Sequence, residues 1–171
     1  MPPMCGSELH SLPLGVQRVA LFLQQSGHPE GPRMLDGSAR TAQEAADALG
    51  VALGQIAKSI VFKRHPDQAT VLVITSGDRR VDDKKVQALV CAEGQKLGRA
   101  DAEFVKAQTG FSIGGVSPVA HLVPPVTLID RLLWRFDEVW AAAGHPHAVF
   151  RLAPHDLEAL VQAPVADVTA D

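Results

Sequence analysis

Three short stretches of this chain hold residues whose type and spacing could do chemistry. The first is Gln55-Ile-Ala-Lys-Ser-Ile-Val-Phe-Lys63, a strand-favouring run between Gly54 and the turn His65-Pro66-Asp67. With a period of two, Ile56, Lys58, Ile60 and Phe62 share one face, which sets one ammonium among apolar neighbours. A lysine so placed either snorkels its head to water along a strand edge or has a partner or a task, because an unpaired charge is costly to bury. Taken alone, the stretch leaves both readings open.

The second stretch is Gly114-Gly115-Val116-Ser117-Pro118. Adjacent glycines let backbone amides approach a ligand and converge on an anion or a carbonyl oxygen. Ser117 adds a hydroxyl and Pro118 stiffens the exit. A plain bulge or turn is the competing account of a Gly-Gly pair. The third is Gly144-His145-Pro146-His147. Pro146 interrupts the regular strand that would turn both rings to one side, and neither His121 nor His155 stands at a spacing that completes a ligand set. No metal site is expected. His145 reads as a loop histidine that hydrogen-bonds a substrate, or as an ordinary surface histidine.

Other chemistries find little support. Cys5 and Cys91 are the only cysteines, which makes no disulfide framework, and no His or Asp signature surrounds either one. Asp82-Asp83, Asp130 and Asp137 read as caps or turns rather than as a carboxylate pair. There is no GxxxxGK[ST] and no GxGxxG arrangement, so nucleotide binding of those kinds is not expected. Arg79, Arg80, Lys84, Lys85, Lys96, Arg99 and Lys106 concentrate positive charge between residues 79 and 106. That is either a phosphate-binding face or a solvated helix surface.

The elements that must position these residues are legible from periodicity and punctuation. Val16, Val19, Ala20, Leu21 and Leu23 make a helical stripe that ends at Gly27. A short strand is expected around Arg33. Thr41 and Glu44 form a capping box for a helix over 42–49 that stops at Gly50. Thr70 to Thr75 is a near-continuous apolar run, expected as a central strand covered on both faces and paired antiparallel with the Lys58 strand. Asp82 and Asp101 open helices over 83–90 and 102–108. Strands are expected over 126–129, 138–142 and 148–152, a helical turn over 132–136, a helix over 154–160 and a closing strand or tail over 166–169. This is an α+β chain with a mixed, strongly curved sheet.

With 171 residues, 46% of them hydrophobic and 20% charged, the chain is expected to fold as one domain over 13–171 after a disordered terminus over 1–12. A formal charge of −3 argues against nonspecific coating of nucleic acid, though not against a local basic patch. No apolar run reaches membrane-spanning length and the N-terminus shows no signal pattern, so no membrane association and a cytoplasmic location are expected.

Read together, five stretches resemble one family. They are Thr41-x-x-x-Ala45-Ala46-x-x-Leu49-Gly50-Val51, Gln55 to Phe62, Val71 to Asp78, Thr109 to Pro118, and Ala163 to Thr169. In that order they are similar to YbaK/EbsC-type proteins, free-standing relatives of the editing domain inserted in bacterial prolyl-tRNA synthetases. The resemblance implies a curved, barrel-like mixed sheet surrounded by helices. It also implies hydrolysis of the ester of mischarged aminoacyl-tRNA carrying a small amino acid, of the Cys- or Ala-tRNA(Pro) type. Lys58 would be the catalytic residue, facing the diglycine. Ser59, Gly114, Gly115, Val116, Ser117, Pro118, Gly144 and His145 would bind substrate, with no cofactor and no metal. The 3′ acceptor end of aminoacyl-tRNA is the implied partner, with prolyl-tRNA synthetase as a second. A noncatalytic tRNA- or synthetase-binding module of the same fold is the alternative. The alanine-removing branch carries Asn after the lysine, where this chain has Ser59.

Overall fold

A computed structural model of the protein describes residues 11–171 apart from Ser38 and Arg40. Most of the expected disordered terminus therefore lies outside the described residues. Leu12 is described, and it packs against the larger core cluster.

The sheet is built outward from two central strands. β2 (Ile56–His65) pairs antiparallel with β3 (Ala69–Ser76), Lys58 standing opposite Thr75 and Phe62 opposite Val71. Alternation along β3 sends Leu72 and Ile74 into one core cluster and Val71 and Val73 into another. Both faces of this strand are therefore covered, as its unbroken apolar run requires. α1 (Leu14–Gln25) closes the first cluster with Val16, Val19 and Leu23. The helix over Asp83–Val90 closes the second with Val86 and Val90.

Around this pair, in chain order, stand β1 (Arg33–Met34), α2 (Ala42–Leu49), α3 (Asp83–Val90), β4 (Lys96–Arg99), α4 (Ala102–Thr109), β5 (Val126–Asp130), β6 (Val139–Ala142), β7 (Ala148–Leu152), α5 (Pro154–Val161) and β8 (Val165–Ala166). Short 3₁₀ turns, Leu53–Gln55 and Arg131–Arg135, precede β2 and follow β5. The strand order is β1-β7-β6-β2-β3-β5-β8, with β4 added to β2 off that path. β6 lies parallel to β2 and β5 parallel to β3, whereas β7 and β4 are antiparallel to their neighbours. The sheet is mixed as expected, and it stays open, ending at β1 and β8.

The helix boundaries follow their caps. Thr41 accepts from the Glu44 amide at 3.1 Å, Asp101 from the Phe104 amide at 2.7 Å and Asp82 from the Lys84 amide at 3.0 Å, each satisfying a first-turn donor. Gly50 and Gly110 end their helices with φ of 71° and 84°, in the left-handed region that favours glycine.

β4 has no counterpart in the sequence reading. Its four residues include Gly98 and carry no alternating apolar signal, so nothing local marks them as a strand. They form one because β2 offers an edge, Phe62 pairing with Arg99 and His65 with Lys96. At Gly98 a Cβ would meet His65 Nε2 at 2.8 Å, the tip of an exposed side chain. Among the described residues no helix is long and apolar enough to cross a membrane.

Candidate active site at an open edge of the central strand

One edge of β2 is occupied along its length by β3, from Ala57 to Arg64. The other edge is shared. β6 takes Ile56 and Ala57, and β4 takes Phe62 to His65. From Lys58 to Val61 no described strand pairs with it. Unpaired main-chain donors and acceptors inside a sheet are unusual, because they offer a template for another molecule.

Lys58 opens this gap. It shares its face with Ile60 and Phe62, which pack with the cluster of Val71, Val73 and Leu128, so it stands among apolar neighbours as its spacing implied. It is half-buried, and among the described residues its ammonium meets no carboxylate and makes no hydrogen bond. Ser59 points the other way, toward the cluster of Ala57, Leu72 and Ile74, and its Oγ is buried without a partner. Two adjacent residues thus present polar groups that the described protein leaves unused.

The glycine segment is held by neighbouring backbone. Gly114 has φ of 92°, a conformation other residues reach only with strain. A Cβ on Gly115 would lie 2.7 Å from the His145 carbonyl carbon and 2.8 Å from its Cα. The second and third stretches singled out in the sequence therefore abut. The Gly115 amide is not free to bind a ligand, because it donates to Ser112 O at 2.9 Å. The Ser117 hydroxyl is also turned inward, accepting from the Val119 amide at 3.1 Å in a residue with no exposed surface. The amides of Val116 and Ser117 are buried and have no partner among the described residues. The loop's buried uncommitted donors are these two, and the amide of exposed Gly114 also has no partner among the described residues.

Val116 and Val119 belong to the cluster on the Ser59 face.

His145 sits in the turn between β6 and β7. Its Nδ1 accepts the His147 amide at 3.0 Å, which leaves Nε2 to carry the proton and donate outward. The parallel register of Ala57 with Ala141 sets Lys58 level with Ala142, the last residue of β6 and three residues before His145. The two histidine rings are 5.2 Å apart between centroids, and no third His, Cys, Asp or Glu joins them in a metal-binding group among the described residues. Gly144, with φ of 92°, has no room for a Cβ against the backbone of Gly15 and Val16, so α1 buttresses this turn. Leu35 donates to His147 O at 2.6 Å, bringing the segment after β1 to the same place.

Several supporting residues escaped the sequence reading. His121 donates to Ser117 O at 2.6 Å and stands edge-on to Phe111. Arg18 stacks on the other side of that ring, 4.5 Å from its centroid, and bonds Thr109 O and Ala120 O. Asp130, read as a cap, does cap Leu132 at 2.9 Å, but it also accepts from Thr75 Oγ1 at 3.0 Å and Ser76 N at 3.1 Å. Arg135 binds Asp78 and Ser76, and Ser76 donates to Gly54 O, anchoring the turn that launches β2. The contacts of Arg18, of Asp130 with Thr75 and Ser76, and of Arg135 join residues far apart in the chain, so only spatial proximity announces them. A cavity of about 430 Å³ lies elsewhere, between the end of α1 and residues 27–31.

Comparison with known proteins gives the arrangement a family. Residues 36–160 match the aminoacyl-tRNA editing domain. A Bacillus subtilis protein, the uncharacterized YwhH, is 35% identical over 120 residues, covering 70% of this chain and 74% of that one. The proline–tRNA ligase of Desulfovibrio desulfuricans is 37% identical over 98 residues, which are 57% of this chain and 16% of the ligase. The crystal structure of a proposed trans-editing enzyme for prolyl tRNA synthetase superposes with a TM-score of 0.86 at 41% identity, covering 94% of this chain and 99% of the other. With its open mixed sheet, the lysine at the gap in that sheet and a family match over most of its length, this chain belongs to the aminoacyl-tRNA editing domain family.

Proposed function

We propose that the protein is a trans-editing aminoacyl-tRNA deacylase that hydrolyses the ester of mischarged tRNA carrying a small amino acid, of the Cys- or Ala-tRNA(Pro) type. The observation that carries this reading is Lys58, half-buried and without a partner among the described residues, at the start of an unpaired strand edge. An aminoacyl ester is already activated, so a site need only hold its carbonyl and stabilise the oxyanion that develops on attack. The Lys58 ammonium supplies one positive group. The Val116 and Ser117 amides are donors of the oxyanion-hole type. Ser59 Oγ and His145 Nε2–H serve as substrate hydrogen-bonding groups, and Gly114, Gly115, Pro118 and Gly144 shape the two loops. Attack by water on the carbonyl carbon breaks the bond to the ribose oxygen, which leaves with a proton from that water, and the free amino acid is released. The scheme uses no cofactor. The acceptor end of tRNA(Pro) is the partner, prolyl-tRNA synthetase a second, and the cytoplasm the location.

Ester loss from Ala-, Ser-, Cys- and Pro-charged tRNA is the test. Wild type clears one or more of the small mischarged esters, and Lys58→Ala and Lys58→Met lose at least about 100-fold in kcat/KM, the scale of removing one oxyanion donor. Both variants keep the wild-type melting temperature, because no partner is orphaned. Undiminished turnover in either variant removes Lys58 from the mechanism. Absence of turnover in wild type, with RNA binding intact, leaves the noncatalytic binding module.

A further inference from the structure

The gap in β2 has two lips, and Lys58 marks only one. The other is the end of β4, where Arg99 pairs with Phe62. Residues directly opposite in an antiparallel pair share a face, and Leu97, two residues before Arg99, packs with the Phe62 cluster. Arg99 therefore projects on the same face of the sheet as Lys58. Four residues of strand separate the two levels, about 13 Å, the length of a short single-stranded segment rather than of one nucleoside.

Arg99, like Arg33 and Arg80, differs from most of the described arginines in having no side-chain partner among the described residues. Arg64, Arg79, Arg131, Arg135 and Arg151 each meet a carboxylate, and Arg18 is spent on backbone carbonyls. Arg99 is exposed and has no carboxylate or hydrogen-bond partner among the described residues. The nearest acid in sequence, Asp101, is engaged as the cap of α4. A guanidinium left free at the lip of an unpaired strand edge suits a phosphate, whose oxygens match its planar fork. Between the lips, the unpaired main-chain groups from Lys58 to Val61 can hydrogen-bond base edges.

We infer that the open edge of β2 is the track for the single-stranded 3′ end of the RNA, with the terminal residue at Lys58 and an upstream phosphodiester held by Arg99. The inference rests on the editing reading for the identity of the strand, and extends it to a phosphate subsite.

The test is the anisotropy of a labelled single-stranded RNA ending in CCA, bound to wild type, Arg99→Ala, Arg99→Lys and Arg131→Ala. Arg99→Ala weakens binding roughly tenfold and makes the slope of log affinity against log salt shallower by about 0.7, the value for one phosphate of a single strand. Arg99→Lys recovers part of the affinity, and Arg131→Ala, whose partner is Asp167, binds as wild type. Replacing the internal phosphates by neutral methylphosphonates abolishes the difference between wild type and Arg99→Ala. Equal binding by wild type and Arg99→Ala, a loss that persists on the neutral strand, or no binding of the RNA by wild type each overturns the subsite. The two readings separate cleanly. Ester loss with no effect of Arg99→Ala on binding removes the subsite alone, and an Arg99-dependent RNA complex that clears no ester removes the editing reading alone.

Discussion

His121 and Ser117 are joined by a bond of 2.6 Å between the imidazole Nε2 and the main-chain carbonyl oxygen. A carbonyl only accepts, so Nε2 carries the proton and Nδ1 is left as a bare lone pair, buried and without a partner. The bond ties the exit of the glycine segment to the wall formed by Phe111 and Arg18.

Burial holds the His121 pKa below its ordinary value, against the Ser117 bond that raises it, and the Arg18 charge lowers it further. A depressed folded pKa means that the unfolded chain takes up the proton first. The stability linked to this residue is complete above the ordinary histidine pKa of about 6.5 and declines as pH falls from there toward the folded value. His121→Gln can keep a donor to Ser117 but cannot titrate. Melting temperatures at pH 7.5 and pH 5 should therefore fall less in His121→Gln than in wild type; an identical fall in both proteins would show that the ring does not titrate in this way.

Gly115→Ala tests the contact between the two loops. The added methyl must enter space 2.7–2.9 Å from the backbone of His145 and Pro146, and backbone cannot rotate away as a side chain does. A loss of about 1–3 kcal/mol in urea unfolding is expected, with a loss of deacylation. Gly114→Ala separates space from conformation, because its nearest atom is 3.9 Å away and only the left-handed φ resists it, at about 1–2 kcal/mol. Wild-type stability in Gly115→Ala would mean that the loops are not packed together.

Asp78 is held below the usual carboxylate range chiefly by its hydrogen bonds from the Arg135 guanidinium, with a further contribution from Ser76. Its stabilisation is present above the unfolded carboxylate pKa of about 3.9 and is lost as pH falls through the lower folded value. Both side chains are about one-third exposed, so solvent screening limits the pair to roughly 1 kcal/mol. Asp78→Asn should cost that much in urea at pH 7 and much less near pH 3. A cost independent of pH would assign the effect to packing against Gly54 instead of charge.

How much of this was legible beforehand differs by element. β3 announced itself because both of its faces are buried, which writes a continuous apolar run. The helix starts at Thr41, Asp82 and Asp101 were readable because a cap bonds only two or three residues onward. β4 was invisible for the opposite reason. Its strand character comes from the free edge of β2, some thirty residues earlier in the chain, and Gly98 has no propensity for it.

The candidate site divides the same way. Residue types and local spacing marked Lys58, the diglycine and His145 as unusual, because a charge on an apolar face and paired glycines are costly without cause. They could not say which amides stay free. Short-range hydrogen bonds formed only in the folded loop consume Gly115 N–H and the Ser117 hydroxyl and leave Val116 and Ser117 N–H uncommitted.

From the order of residues alone came the kinds of element, their caps and the oddity of one lysine, since each is fixed by neighbours a few positions apart. Tertiary structure alone decided that β6 and β4 each stop short of covering β2. Strand pairing is a long-range competition for edges, and where no partner wins, the chain keeps an opening that no local pattern encodes.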